Sequence, residues 1–292
     1  MSNILEIQNL TKYYGHVLGV KDLSLDIKEG EVFGFIGPNG AGKSTTIRAI
    51  MNLIIKDKGV ILFKGQVFDK DKAELKKYIG YLPSEVTPYE DLTVKEMLDY
   101  HESFYGNKPN IHARRCELVE RLKLDESKRS EDLSLGNLKK LGIVLAFMHE
   151  PKLVILDEPT SGLDPIMQQE FYEFLKEEKK KGTTIFYSTH ILSEIARICD
   201  RVGIIKDGRL LKVETVEELL KKNLNLVTVK CENVEELINE LDVEIVKRTG
   251  NTVKFKNSLK ADELIKTLSK YSIEDILIEE ATLEDIFLHY YK

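Results

Sequence analysis

Gly37-Pro38-Asn39-Gly40-Ala41-Gly42-Lys43-Ser44 fills every fixed position of the pattern G-x-x-x-x-G-K-[ST]. On its N-terminal side, Glu31–Ile36 is an apolar run bounded by Gly30 and Gly37, which reads as a strand. On its C-terminal side, Ile47, Ile50, Met51 and Ile54 recur at the spacing of one helix face, so a helix starts at Lys43. Strand, glycine-rich loop and helix make the context that the pattern requires. Its glycines let the backbone curl so that successive N–H groups point at phosphate oxygens, and the helix adds its positive N-terminal end. Lys43 is then placed for the β- and γ-phosphates and Ser44 for a Mg²⁺ ion, with Thr45 completing the run of nucleotide-binding residues. A plain glycine-rich turn is the competing reading, and the flanking elements argue against it. The loop specifies a nucleoside triphosphate; it does not specify a reaction.

Further along, Leu153–Leu156 is a short continuous apolar run, as expected of a strand buried on both faces. It ends in two carboxylates. Asp157 suits a Mg²⁺ contact at the strand tip, and Glu158 suits a general base that orients an attacking water. Asp164-Pro165 then reads as an N-cap followed by proline at the first helical position, with Met167, Phe171, Phe174 and Leu175 on one side. The charged run Lys176–Lys181 ends that helix on a solvated face, Gly182 stops it, and Thr183–Tyr187 is the next strand. Strands alternating with helices imply a parallel sheet with helices packed on it. Two segments depart from this rhythm. From about 90 to 140 the chain is helical, opening with the capping box Thr93–Glu96. After about 220 the order is β (Leu226–Cys231), α (Val234–Leu241), β (Val243–Lys247), β (Thr252–Lys256), α (Ala261–Lys270), β (Ile273–Ile278), then a helix from Thr282. That is the order of a ferredoxin-like split βαβ unit.

The whole chain has 292 residues, enough for about two domains at roughly 100–200 residues each. Residues 1–220 and 221–292 are the expected division. With 43 Lys+Arg against 49 Asp+Glu, the net charge of −6 argues against nucleic acid as a partner. Cys116, Cys199 and Cys231 are odd in number and far apart, which suits neither a disulfide framework nor a zinc site and fits a reducing cytosol. The N-terminus lacks the basic and apolar regions of a signal peptide. The longest apolar stretch, near Leu141–Met148, is far short of the ~20 residues that a spanning helix needs.

The phosphate loop, Asp157-Glu158, Pro159-Thr160-Ser161-Gly162-Leu163-Asp164 and Ser188-Thr189-His190 occur in the order that marks ATP-binding-cassette (ABC) ATPases. From about Ile4 to Leu220 the chain resembles the nucleotide-binding subunit of such a transporter. The resemblance implies an α/β P-loop NTPase fold of the ABC type with a helical insertion, joined here to the small α+β C-terminal domain. It also implies ATP and Mg²⁺ as cofactors and ATP hydrolysis as the reaction. His190 matches the histidine that contacts the γ-phosphate and helps hold the water. Asp164 matches the loop that meets the other nucleotide-binding domain across a dimer. Tyr14 matches the aromatic that stacks on adenine, with Tyr13 as the fallback.

Two positions depart from the family pattern. Its signature Leu-Ser-Gly-Gly-Gln stands here as Leu133-Ser134-Leu135-Gly136-Asn137. Ser134 and Gly136 survive, so a serine hydroxyl and backbone N–H groups at a helix N-terminus are still offered to the γ-phosphate of the opposite chain. The glutamine expected after Tyr81-Leu82-Pro83 is Ser84, followed by Glu85; either is a candidate for its Mg²⁺ contact through a water. The stretch Ala281–Leu288 resembles the tail of ATPases that serve separate export permeases. The expectation is therefore an ATPase that pairs head-to-tail with a second subunit, homo- or heteromeric. It would lie peripherally on the inner face of the cell membrane against a permease made of another polypeptide. Three alternatives compete with it. A soluble ABC ATPase would carry a second cassette or a long coiled-coil insertion. A non-catalytic subunit of a heterodimer is suggested by Leu135, Asn137 and Ser84, and opposed by Glu158 and His190. A GTPase would need an Asn-Lys-x-Asp motif, which the sequence lacks.

Overall fold

Asn3–Tyr14 (β1) and Val17–Lys28 (β2) pair antiparallel, and Leu5, Ile7, Leu23, Leu25 and Ile27 bury their side chains on a shared face. In this computed structural model the described residues are 2–89, 91–106, 109–221, 225–241, 243, 245–257, 259 and 261–280. They divide into two compact units, Met1–Val216 and Glu217–Lys292.

In the first unit the chain continues through β3 (Val32–Ile36), α1 (Lys43–Ile50), β4 (Lys58–Phe63), β5 (Gln66–Val67) and β6 (Ile79–Leu82). Three helices follow, α2 (Val94–Ser103), α3 (Pro109–Leu122) and α4 (Leu135–Phe147). The last of them runs some residues beyond the helical segment read from sequence. Alternation then resumes with β7 (Leu153–Asp157), α5 (Pro165–Lys180), β8 (Thr184–Thr189), α6 (Leu192–Ile198), β9 (Arg201–Lys206) and β10 (Arg209–Thr215). Strands β2-β1-β4-β5 form an antiparallel sheet. The second sheet has the order β10-β9-β3-β8-β7-β6 and is parallel except for β10 at its edge. Every residue of β3, β7 and β8 is buried. That is why these segments read as continuous apolar runs rather than as alternations.

One core joins the two sheets. It takes Ile7 and Ile61 from the antiparallel sheet, Phe35 and Ile155 from the parallel one, and Ile47 and Ile50 from α1. Helix α1 has only eight residues, too few to be stable alone in water. Its buried face holds it, and so fixes the loop that precedes it. Among the helices between β6 and β7, Thr93 caps α2 in the expected capping box with Glu96. Arg115, 3% exposed, is bonded to Asp99, Glu102 and Glu126 and ties α3 to α2 and to the chain beyond it.

The second unit opens with α7 (Val216–Lys221), whose first residue closes the first unit, and continues with β11 (Asn225–Cys231), α8 (Val234–Leu241), β12 (Ile245–Thr249), β13 (Thr252–Asn257), α9 (Ala261–Leu268) and β14 (Ile273–Glu280). Its sheet is antiparallel in the order β12-β13-β11-β14, the strand arrangement of the split βαβ unit. Val227, Val229 and Phe255 of the sheet meet Leu237 of α8 and Leu264 of α9 in a separate core. The helix expected from Thr282 and the stretch Ala281–Leu288 lie outside the described residues. Among those described, no helix is long and apolar enough to cross a membrane.

Candidate nucleotide site

The loop between β3 and α1 is built on backbone that admits only glycine at two points. Gly42 has φ +106°, and a Cβ there would stand 2.6 Å from the Gly19 carbonyl oxygen. A Cβ on Gly37 would stand 2.4 Å from the carbonyl oxygen of Ile205 in β9. The loop therefore lies tight against the sheet, and Gly42 precedes α1 as an N-cap with no side chain to offer, leaving the first N–H groups to an outside acceptor. A cleft of about 390 Å³ opens over it. Tyr14, Gly40, Lys43, Ser44, Thr45 and Glu158 are among the residues that line the cleft. Tyr14 is half-exposed there, with the Lys12 ammonium 5.5 Å from its ring centroid. Tyr13 is not part of the lining; its backbone N–H donates to Asp57. Pro38 contributes a carbonyl to the Lys43 side chain, Asn39 lines the cleft and Ala41 is buried.

The charged groups converge on Glu158. Lys43, 5% exposed, donates to the carbonyls of Gly37 at 2.8 Å and Pro38 at 3.2 Å. Its Nζ is 3.5 Å from Oε1 of Glu158. The same oxygen lies 3.1 Å from Nδ1 of His190. Burial pulls the Lys43 ammonium below its ordinary value, while Glu158 and Asp157 pull it back up. Asp157, at the end of β7, is 2% exposed. Burial pushes its carboxyl up, against hydrogen bonds from Ser44 and Ser188 that favour the charged form. The Ser188 hydroxyl donates to it at 3.1 Å. A buried carboxylate beside the Ser44 hydroxyl is a donor set that fits a divalent cation completed by phosphate oxygens and water. Among the described residues no cluster of three or more His, Cys, Asp or Glu could hold a metal without such help.

The remaining sequence candidates lie on other edges. Ser134 caps α4, its Oγ accepting from the N–H of Asn137 at 3.3 Å. Leu135 is 77% exposed. A Cβ on Gly136 would meet only the Gly162 carbonyl, at an ordinary 3.4 Å. None of residues 134–137 lines the cleft around Lys43. Asp164 caps α5 by accepting from the N–H of Met167 at 2.9 Å. Ser84 is also away from the lining, and Glu85 is exposed.

One residue that the sequence reading passed over organises this end of the sheet. Glu194, 3% exposed, accepts from the hydroxyls of Thr160 at 2.5 Å, Thr189 at 2.5 Å and Tyr172 at 3.1 Å. It links the turn after Glu158, the strand end before His190 and helix α5 through one buried carboxylate. Its only local signal is a carboxylate five residues beyond Thr189.

Residues 20–161 match the family described as ABC transporter, and residues 212–291 match the C-terminal domain of ATP-binding proteins like DrrA1-3. The linearmycin resistance ATP-binding protein LnrL of Bacillus subtilis is 33% identical over 98% of this chain and 97% of its own. The bacitracin transport ATP-binding protein BcrA of Bacillus licheniformis is 40% identical over 76% of this chain and 73% of its own. A solved ATP-binding subunit of an ABC transporter superposes with a TM-score of 0.70 at 32% identity, covering 75% of this chain and 92% of the other. A relative that matches over nearly its whole length, a C-terminal domain like that of DrrA1-3 and a phosphate loop facing a carboxylate all agree. The chain belongs to the ATP-binding subunits of ABC transporters and is an ATP hydrolase of that family.

Proposed function

We propose that this chain binds ATP with Mg²⁺ in the cleft between Tyr14 and Lys43, closes against a second ATP-binding subunit, and hydrolyses the nucleotide there with Glu158 as general base. The observation that carries the reading is the position of the Glu158 carboxylate, 3.5 Å from Lys43 and 3.1 Å from His190. A carboxylate between the phosphate-binding ammonium and an imidazole is placed to take a proton from a water aimed at the γ-phosphate. His190 orients that water and holds the carboxylate. Ser44 and Asp157 are the residues that would hold Mg²⁺, which supplies charge neutralisation across the phosphates. Tyr14 offers its exposed ring to the adenine.

The second subunit supplies Ser134–Asn137. In this chain those residues form a helix N-terminus outside its own cleft, with Ser134 and Leu135 exposed, as a contribution in trans requires. Asp164 lies at the same dimer face. The partner in the membrane is a separate permease. The surface after Ser84 supports a docking role: Tyr89, Tyr100 and Phe104 are exposed and form an edge-to-face stack, with centroids 6.0 and 4.9 Å apart. Exposed aromatic patches of this kind mark interaction sites. The subunit then rests on the inner face of the membrane through that permease. The names of the relatives, one for resistance to linearmycin and one for bacitracin transport, support export as the direction.

The test is Glu158→Gln, which keeps the shape and removes the proton acceptor. Hydrolysis should fall by roughly 10²–10⁴ while ATP still binds, and an ATP-bound dimer should accumulate in size-exclusion chromatography. Turnover near the wild-type rate would overturn the assignment of the base.

A further inference from the structure

Lys139 lies on α4, beyond the Ser134 cap, and is 4% exposed. Its ammonium donates to the carbonyl oxygens of Ser84 at 2.7 Å, Pro83 at 3.3 Å and Glu158 at 3.3 Å. An ammonium has three N–H donors, and each has a backbone acceptor. Burying such a group is costly unless it is paired; Asp157, Glu158 and Glu85 supply the opposing charge. The three acceptors belong to two loops. Pro83 and Ser84 follow β6, Glu158 follows β7, and these strands are neighbours, with Leu82 paired to Leu156. Lys139 therefore clamps the loop after one strand to the loop after the next.

The residue at the far end of this clamp is strained. Glu158 has φ +48°, a conformation that residues with a side chain adopt at a cost and keep only where their surroundings hold them. Its N–H donates to the Ser188 carbonyl at 3.0 Å, and its C=O accepts from Lys139. Both of its backbone polar groups are tethered, the N–H to β8 and the C=O to Lys139 of α4 and to the Ser161 N–H at 3.3 Å. The direction of the Glu158 side chain follows from that backbone.

We propose that Lys139 is a positioning residue that holds the strained backbone of Glu158 and couples it to the loop at Pro83–Ser84. Movement of that loop pulls on the same ammonium that aims the carboxylate, so displacement at Ser84 is felt at the base. This rests on the reading of Glu158 as the base for hydrolysis.

The experiment is a double-mutant cycle in the full-length chain, with kcat, KM and calorimetric ATP affinity measured for Lys139→Met, Lys139→Gln, Glu158→Gln and the double variant Lys139→Met/Glu158→Gln. Met removes all three donors at similar length; Gln keeps two. Lys139→Met should lower kcat by about 10- to 100-fold, the scale of a misplaced catalytic group, with ATP affinity within about threefold of wild type. Lys139→Gln should regain part of the loss. In the Glu158→Gln background, Lys139→Met should have no further effect, because the side chain that it aims no longer acts. A Lys139→Met protein with wild-type kcat overturns the proposal. So does an equal fold-loss in the Glu158→Gln background, which is the mark of a merely structural role. If Lys139→Met does not fold, Lys139→Gln carries the same cycle with the same criteria. Wild-type turnover in Glu158→Gln alone would instead sink the base assignment on which the proposal stands.

Discussion

Three hydroxyls converge on the Glu194 carboxylate, and two of them, those of Thr160 and Thr189, belong to the segments that carry Glu158 and His190. Removing a buried acceptor leaves its donors unsatisfied, which costs about 1–3 kcal/mol for each group that finds no substitute. Glu194→Ala is therefore expected to lower stability by roughly 2–4 kcal/mol in urea denaturation and to reduce turnover with it. An unchanged midpoint would contradict the role given to this carboxylate. The contrast with Lys43 and Glu158 explains what was legible in the sequence. Those two stand inside contiguous motifs, where neighbouring residues announce the chemistry. Glu194 meets Thr160 across 34 positions and Tyr172 across 22. Lys139 meets Ser84 across 55 and Glu158 across 19. Such partners are neighbours only after β6, β7 and β8 have paired, and no local pattern records that pairing. The Tyr14 and Tyr13 alternative was open for the same reason: strand residues one apart face opposite ways, and only the cleft decides between them.

At the scale of elements, capping chemistry was readable and edges were not. Thr93 and Asp164 cap their helices as their spacing implied. The strand read as Val243–Lys247 instead occupies Ile245–Thr249. It is an edge strand of its sheet and all five residues are exposed; with no face buried, periodicity has little to fix its ends. The helix read as Ala261–Lys270 stops at Leu268, where Lys270 and Tyr271 turn back to the carbonyls of Thr267 and Leu268. The cap at Asp164 also allows its two roles to be separated. Asp164→Ala removes the acceptor for Met167 and should cost about 1 kcal/mol. Asp164→Asn keeps a capping oxygen and should leave the melting temperature close to wild type. If Asp164 also serves the dimer face through its charge, Asn should still lower ATP-driven dimerisation. Loss of dimerisation in Ala alone, in step with stability, would reduce its role to the cap.

For the whole molecule, the cleft of one chain is lined by the loop before α1, Glu158 and Tyr14, whereas Ser134–Asn137 lie outside it. Catalysis of this kind requires composite sites, each made from two chains. Gly136 makes this testable, because a side chain there meets only ordinary contact within its own chain, so substitution should not disturb the fold. Aspartate adds bulk where a phosphate must approach, and it adds repulsion. The measurement is the ATPase rate of Gly136→Asp and Lys43→Ala proteins, each alone and mixed across a range of ratios. In a mixed dimer one site joins an intact loop to an intact signature, and the other site carries both defects. With composite sites, each variant alone runs at background, Gly136→Asp still binds ATP, and recovered activity peaks at equal mixing. A Gly136→Asp protein that hydrolyses ATP at the wild-type rate by itself would contradict composite sites.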